Sequence, residues 1–286
     1  MRTSQRVADA STSSALRLAR RLSIAVIILA AVASAGGLAL PAVYRDTAWV
    51  VPQNRGADVV TLCVALPSLC IALRAAMRGS VRATIIWFGL LGYVCYVYTG
   101  ASFAYAFNEF FLIYVALFGL SIAALIAVGR SIDTRAVGRS FDAGTPRWGA
   151  IAFAVFLATM LCVLWLGQIV PFFTSGAIPE SITLSGGLTM FVYVLDLGVI
   201  VPVALVAAAW LRRGLPWGSI LMGFILVKAA TMGLSLVSMT WFAVRAGQSA
   251  DLGLAVVWVC IALLGVGMSV WFLQHCRGRN ADSIAA

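Results

Sequence analysis

The chain has 286 residues, of which 62% are hydrophobic and only 10% are charged. Soluble domains carry about one quarter charged residues, so this composition excludes a water-soluble protein with a buried core and a charged surface. Most of the surface must instead face lipid, which requires segments that satisfy their own backbone hydrogen bonds. The composition therefore predicts an integral membrane protein whose main partner is the lipid bilayer.

The net charge of +10 does not indicate a nucleic-acid partner, because the arginines follow the order of the apolar spans. Only Arg45, Arg55 and Arg245 fall in one set of connections between spans. The other sixteen arginines cluster at the N-terminus and in the alternate connections: Arg2, Arg6, Arg17, Arg20, Arg21, Arg74, Arg78, Arg82, Arg130, Arg135, Arg139, Arg147, Arg212, Arg213, Arg277 and Arg279. Cytoplasmic loops carry such an excess, so we expect both termini in the cytoplasm. The alanine- and arginine-rich composition is typical of a high-GC bacterium, and we expect the protein to lie in the inner membrane of such a cell.

Cysteine and histidine usage excludes the common metal and haem centres. The six cysteines include no CxxC pair, and five of them lie within apolar spans, where cysteine behaves as a small apolar residue. His275, at the end of the last span, is the only histidine. Bis-histidine haem and histidine-built metal sites are therefore excluded, and the sequence predicts no cofactor.

The N-terminal residues 1–22 are polar, serine-rich and basic, and we predict that they form a disordered cytoplasmic leader. The first apolar span covers residues 22–43. Arg20 and Arg21 followed by an apolar run resemble a secretory signal, which leaves cleavage open. The apolar run continues to Leu40, however, and is long enough to cross a membrane. We therefore expect an uncleaved anchor.

Seven further apolar segments approach the roughly 20 residues that cross the hydrocarbon core. They cover residues 57–74, 83–106, 109–129, 148–171, 189–211, 217–241 and 252–274. The predicted fold is all-α: a polytopic bundle of eight transmembrane helices. We expect a membrane domain over residues 23–274, a cytoplasmic tail over 275–286, and outer loops at 44–56 and 172–188.

The basic inner loop 130–147 divides the eight spans into possible halves of four. In the second span Asp58 precedes Arg74 by sixteen residues, and in the sixth span Asp196 precedes Arg212 by the same distance. A proline lies between the two residues in each span, although at different offsets. This pattern suggests an internal repeat of parallel orientation, while chance placement of common residues is the simpler explanation.

Two charged residues, Asp196 and Lys228, lie within the sixth and seventh spans, where a charge costs at least about 2.5–3.5 kcal/mol. Lys228 is the only lysine beside nineteen arginines, and a buried lysine, unlike an arginine, can lose its proton. At 1.5 Å per residue the lysine lies about 8 Å deeper than Asp196. A direct bridge and a bridge through a water or hydroxyl both remain open, as do a functional site and a structural ion pair.

We expect further polar residues to surround this pair in the outer half of the bundle. Lys228, Thr231 and Ser235 follow helical spacing in the seventh span, and Tyr93 and Tyr96 share a face of the third. Four residues complete the predicted mouth of the cavity: Asp58, Arg55, Asn108 and Glu109. Helix packing explains any one hydroxyl residue and an aromatic belt explains any one tyrosine. Their shared placement favours a polar cavity.

Several classes of function remain open for such a cavity. Paired charges near the membrane midplane fit transport of a small solute or ion coupled to protons, with Asp196 carrying the proton, and this is the function we favour. A structural or assembly protein would use the same pair only for packing. An enzyme would be a transferase acting on a lipid-linked substrate, since the GxSxG, HExxH and phosphate-loop motifs are missing. The sequence names neither the solute nor a protein partner.

A lysine in the seventh span resembles the retinal-binding lysine of microbial rhodopsins, which would imply light sensing. The resemblance ends at that lysine. Phe224 stands four residues before Lys228, where that family places an acidic counter-ion, and the chain has eight apolar spans rather than seven.

Overall fold

The structure, a computed structural model, describes residues 2–141, 144–187, 189–249 and 252–276. The regular structure of these residues is helical, apart from one isolated bridge between Phe141 and Cys276. Eight helices are long and apolar enough to cross a membrane. The prediction of an all-α, multi-pass membrane protein with eight spans is confirmed.

We number the spanning helices α1 to α8 in chain order. Their bounds are Arg2–Ala39 (α1, with its apolar span from Ser13), Val50–Met77 (α2), Val81–Phe103 (α3), Phe111–Ser131 (α4), Arg147–Ser175 (α5), Phe191–Arg212 (α6), Pro216–Arg245 (α7) and Leu252–Gln274 (α8). Two short helices, Thr134–Ser140 and Glu180–Ser185, lie in the connections before α5 and α6. Because successive spans alternate in direction, four connections share one end of the bundle. Of the described residues, 40–49, 104–110, 176–187, 189–190 and 246–249 lie in the connections at this arginine-poor end.

Four helices extend beyond their predicted bounds by about a turn or more, among them α7, which continues past residue 241 to Arg245. α2 begins at Val50 rather than near residue 57, α5 continues past Pro171, and α1 is helical from Arg2. The added turns of α2 and α5 lie at the arginine-poor end, beyond the apolar segments that set the sequence bounds. The extension of α1 overlaps residues 2–22, where the sequence predicts a leader, and the predicted tail lies outside the described residues from 277 onward. The division into leader, membrane domain and tail stays a prediction.

α7 is the central helix of the bundle and packs against α2, α3, α6 and α8. Of the apolar 18-residue segment that marks α7 as a membrane span, 67% is buried inside the protein, against 33–56% of the corresponding segments in the other spans. Two glycines allow the close approach of its neighbours. A Cβ added at Gly89 of α3 would lie 2.7 Å from Val227 Cβ, and one at Gly233 of α7 would lie 2.7 Å from Ala262 Cα of α8. Small residues permit such close helix packing in membranes.

The remaining helices pack around α7 in two different ways. In the first half α1 packs along both α4 and α2, and α3 packs between α2 and α4. In the second half α5 packs on α6, while α8 packs mainly on α7. α8 meets α5 near Gly149, where an added Cβ would lie 2.9 Å from Trp271 Cζ3. That contact lies close to the start of α5 and the end of α8, at the arginine-rich end.

α2 and α6 share an unusual local feature. Each contains a five-residue π-helical turn, Thr61–Ala65 in α2 and Asp196–Ile200 in α6. Pro67 and Pro202 follow these turns at the same position, 135 residues apart. A proline lacks the N–H for the hydrogen bond to the preceding turn and its ring crowds that carbonyl, so the wider π-turn relieves the clash.

The same offset of 135 residues holds beyond the π-turns. Gly79 and Gly214 form the turns after α2 and α6 with φ angles of 89° and 70°, which glycine adopts without strain. α3 and α7 then begin at Val81 and Pro216, again 135 residues apart. We call residues related by this offset equivalent. The correspondences support an internal repeat.

The structural register differs from the one that the sequence suggested. The sequence paired Asp58 with Asp196, whereas the π-turns make Thr61 the residue equivalent to Asp196. The difference of three residues arises because the π-turn and its proline, rather than the acidic residue, occupy equivalent positions. On the same register Tyr93 of α3 is equivalent to Lys228 of α7.

Candidate functional site

A cavity of about 490 Å³ lies between α3, α5, α6, α7 and α8. Its walls are mainly apolar, with contributions from Leu157, Leu161, Ile200, Ile225, Met232, Leu236, Met239, Trp258 and Ile261. Residues of the short helix Glu180–Ser185 and of the first turns of α2 border it at the arginine-poor end. Small-molecule sites typically enclose roughly 300–1,000 Å³, so the cavity is large enough for a small organic molecule.

Asp196 lies at the start of the π-turn of α6 and is 5% exposed. Its Oδ1 accepts a hydrogen bond from the Tyr96 hydroxyl at 2.9 Å, and its Oδ2 accepts one from Trp165 Nε1 at 2.8 Å. A carboxylate offers only acceptors, so one donor on each oxygen suits it. Because the donors belong to α3 and α5, the carboxylate joins three helices.

Lys228 lies in the middle of α7 and is also 5% exposed. Its Nζ lies 3.9 Å from the centroid of the Tyr96 ring, which is cation–π geometry. The ammonium has no hydrogen bond to another described residue, and its side chain lines the cavity. Its three N–H donors are therefore free to bind an occupant of the cavity.

Tyr96 separates the two charges. Its hydroxyl donates to Asp196, while the face of its ring contacts Lys228. Within the described ranges the ion pair closer than 4.0 Å is that of Arg45 with Glu109, so Asp196 and Lys228 form no direct bridge. The sequence left open a direct bridge and a bridge through a water or a hydroxyl. In the structure the Tyr96 hydroxyl binds the carboxylate and the Tyr96 ring contacts the ammonium.

A second polar group borders the cavity nearer the arginine-poor end. The Tyr193 hydroxyl donates to Gln168 Oε1 at 2.8 Å and lies 2.7 Å from Ser181 Oγ. This group holds the short helix Glu180–Ser185 against α5 and α6. The sequence analysis missed Trp165, Gln168 and Ser181. The available signal was that Trp165 and Gln168 lie three residues apart, on one face of a helix.

Of the ten site residues predicted from the sequence, four line the cavity: Asp196, Lys228, Tyr96 and Ser235. Tyr93 and Thr231 are buried beside it. The Tyr93 hydroxyl lies 3.1 Å from Thr61 Oγ1 and 3.4 Å from Ser235 Oγ. Thr231 donates to the Val227 carbonyl of its own helix at 2.9 Å. These hydroxyls satisfy one another or the backbone and leave little hydrogen-bonding capacity for a ligand.

The other four predicted residues lie in the first half, away from the cavity: Asp58, Arg55, Asn108 and Glu109. The face of α2 that carries Asp58 packs against α1, where Asp58 accepts a hydrogen bond from Tyr44. Asn108 Oδ1 accepts from the Phe110 N–H at 2.9 Å at the start of α4. Glu109 is exposed and pairs with Arg45. The predicted mouth built from Arg55, Asp58, Asn108 and Glu109 is therefore wrong, because none of these residues lines the cavity.

The electrostatics of this first-half cluster favour protonated tyrosine. Burial, assisted by the Asp58 carboxylate, raises the pKa of Tyr44 far above its ordinary value. The Tyr44 hydroxyl therefore keeps its proton and donates a hydrogen bond to Asp58. Burial also raises the pKa of Asp46, although the Ala106 N–H donates to that carboxylate at 2.8 Å. These residues fasten the loops of the first half.

No protein-family model, curated protein or solved structure matches the chain. Among the residues that the structure describes, no group of three histidine, cysteine, aspartate or glutamate side chains comes together as a metal site. The cavity, its lysine and its carboxylate are therefore the features from which a function can be inferred.

Proposed function

We propose that the protein carries a small organic anion across the membrane together with a proton. Lys228 binds the anion and Asp196 takes up the proton. The observation that carries this proposal is the free ammonium of Lys228, which faces a cavity instead of the nearby carboxylate. The proposal places the chain in a bacterial inner membrane with both termini cytoplasmic, as the arginine distribution favours.

The geometry argues against a purely structural ion pair. Opposite charges in a low-dielectric interior attract most strongly in direct contact, and a pair kept only for stability would place the ammonium on the carboxylate. Instead Tyr96 occupies the space between them and supports both. An intramembrane charge is costly and usually functional. Here the charge without a direct ion-pair partner is the Lys228 ammonium, and it lines the cavity.

Proton and anion binding reinforce one another in this arrangement. An anion on Lys228 adds a second negative charge near Asp196, and like charges favour protonation of a carboxylate. Protonation of Asp196 in turn removes the charge that competes for the ammonium. The loaded site then holds one anion, one ammonium and one neutral acid, so the two solutes load together.

The π-turn supplies a place where the site could move. Asp196 is the first residue of that turn, and Pro202 follows it. π-turns occur frequently at functional sites, and a proline helix lacks one backbone hydrogen bond that would resist bending. A bend of α6 at this point would move Asp196 relative to Lys228 on the uninterrupted helix α7.

Uptake into proteoliposomes tests the proposal. The probe is radiolabelled benzenesulfonate, which stays ionised and crosses lipid slowly. An inside-alkaline pH gradient should drive its accumulation. Asp196→Asn should abolish the dependence on the gradient, and Lys228→Met should reduce uptake to that of protein-free liposomes.

Glu109→Gln is the matched control, because it removes a carboxylate that is exposed and lies off the cavity. Its uptake should equal that of the wild type. Wild-type uptake no faster than in empty liposomes, or a gradient dependence that survives Asp196→Asn, would refute the proposal.

A further inference from the structure

We infer that the anion is an amphiphile that reaches the cavity from the bilayer, through the space between α5 and α8. This inference rests on the proposed function, since it names the class of anion that Lys228 would bind. Its apolar body would lie along the cavity walls and its anionic head group would meet the Lys228 ammonium. The cavity walls, the packing of α8 and the loop contacts at the arginine-poor end each support it.

The distribution of polar groups in the cavity fits an amphiphile. Asp196, Lys228 and Tyr96 form the polar floor. Most of the walls around this floor are apolar, with Leu236 and Met239 on α7 and Ile261 on α8, while Gln168 and Ser181 add polar groups nearer the arginine-poor end. A hydrophilic anion would leave these walls in contact with water, whereas an apolar chain of several carbons would cover them.

α5 and α8 both line the cavity and have few contacts with one another. Leu157, Leu161 and Trp165 line the cavity from α5, and Leu254 and Trp258 line it from α8. The two helices do approach at the arginine-rich end, near Gly149. They are therefore joined at one end and separated by the cavity toward the other, which is the shape of a lateral cleft.

Two hydrogen bonds between loops narrow the direct route from water at the arginine-poor end. Thr47 Oγ1 donates to the Leu184 carbonyl at 2.8 Å and holds the short helix Glu180–Ser185 against the first half. Gln248 Nε2 donates to the Ala48 carbonyl at 2.8 Å and fastens the connection between α7 and α8 to the same loop. Glu180 also lines this rim, and its carboxylate opposes an approaching anion. Lateral access avoids both obstacles.

The length dependence of ligand binding tests the class of anion. The protein, in a non-ionic maltoside detergent, is heated with methanesulfonate, butanesulfonate or octanesulfonate, and with octyltrimethylammonium as the cation of matched chain length. Ligands that bind the folded state raise Tm. Each buried CH₂ strengthens binding by about 0.8 kcal/mol, or about fourfold, so the Tm increase should grow with chain length. The cation should give no such increase.

Two pairs of variants locate the bound molecule. Lys228→Met should abolish the preference for octanesulfonate over octyltrimethylammonium, while Tyr93→Phe at the equivalent buried position should retain it. Ala255→Trp, which fills the cleft from α8, should weaken octanesulfonate binding at least tenfold. Val256→Trp, on the adjacent lipid-facing position, 62% exposed, should not. Tm without ligand shows that each variant is folded.

The outcomes separate this inference from the proposed function. Equal stabilisation by methanesulfonate and octanesulfonate would overturn the amphiphile and leave transport of a small anion standing. Unchanged octanesulfonate binding in Ala255→Trp would overturn the lateral route. Chain-dependent, Lys228-dependent binding without gradient-driven benzenesulfonate uptake would support the ligand class and refute coupled transport.

Discussion

The two halves of the molecule use the same series of helices around interiors of different character. In the first half α1 packs along α4, and the Tyr114 ring beside them contacts the rings of both Tyr98 and Tyr105. In the second half α5 and α8 converge near Gly149 and then enclose a cavity. Beside these tyrosines the first half is packed, whereas the second half holds room for a ligand next to Asp196 and Lys228.

Equivalent positions carry neutral residues in the filled half and charged residues in the open one. Thr61 and Tyr93 lie 3.1 Å apart through their hydroxyls and are 1% and 0% exposed. Their equivalents are Asp196 and Lys228, which border the cavity. A hydroxyl pair satisfies itself in a dry interior, whereas charges need a polar partner or an occupant.

The loops explain why only one half is closed. In the first half Asp46 accepts from the Ala106 N–H, and Arg45 pairs with Glu109, so its two loops are tied to each other. In the second half Thr47 holds the Leu184 carbonyl and Gln248 holds the Ala48 carbonyl, so both loops are tied to the first half instead. Among the described residues of these two loops no hydrogen bond joins one to the other, and the cavity lies between the helices that they connect.

The largest expected effect comes from moving the charges into the filled half. Thr61→Asp with Tyr93→Lys places two ionisable groups where there is no cavity, at a cost of several kcal/mol each. We expect this double variant to fail to give a monodisperse peak in size-exclusion chromatography. The converse variant, Asp196→Thr with Lys228→Tyr, should elute as the wild type does. A folded first-half variant would contradict the contrast between the interiors.

Tyr96→Phe should have the next largest effect, because it removes a hydrogen bond to a charge and keeps the ring under Lys228. Such bonds contribute about 1.5–3 kcal/mol, so Tm should fall and gradient-driven uptake should weaken while anion binding persists. Tyr98→Phe is the first-half control, since its hydroxyl bonds only neutral groups. It should lower Tm less and leave uptake unchanged. The reverse order of the two Tm losses would refute the assigned role of Tyr96.

Lys228→Met should raise stability while it removes function. An ammonium within the membrane costs about 2.5–3.5 kcal/mol, and the Tyr96 ring returns about 0.5–2 kcal/mol of this. The variant should therefore gain about 1 kcal/mol, or a few degrees in Tm, and lose octanesulfonate binding. Tyr93→Phe, at the equivalent position, should gain nothing because its hydroxyl is already bonded. A fall in Tm for Lys228→Met would mark the lysine as structural.

Much of this architecture could be predicted from the sequence. Eight apolar stretches determine the spans because lipid admits only helices of sufficient length. Asp196 and Lys228 could be singled out because a charge inside an apolar span is costly wherever the helix points. Each of these inferences depends on one segment at a time, and they agree with the positions of the two residues at the cavity.

The rest of the site depends on contacts between distant segments. Trp165 is an ordinary residue of an apolar span until α5 places its Nε1 on Asp196. Asp58 has the same signal as Asp196, a carboxylate in an apolar span, yet it packs against α1 and bonds Tyr44. The offset between equivalent positions could not be predicted either. Acidic residues do not mark equivalent positions, and π-turns cannot be recognised from residue spacing in the sequence. Helix packing decides all three.

The smallest expected effect concerns the loop tie that closes the first half. Burial raises the pKa of Asp46 in the folded protein, so the folded state prefers the protonated acid, and its stability falls as pH rises through that raised pKa. Asp46→Asn keeps an acceptor for the Ala106 N–H and removes this titration. Relative to the wild type, the variant should therefore be more stable at pH 8 than at pH 4.

The side chain of Asp46 is only partly buried and water screens its charge, so we expect a difference in Tm of less than about 2 °C, measured by differential scanning fluorimetry at both pH values. Glu109→Gln, in the neighbouring exposed ion pair, serves as the control for loop charge. A larger relative gain at pH 4 would show that the ionised carboxylate, rather than the acid, holds the two loops together.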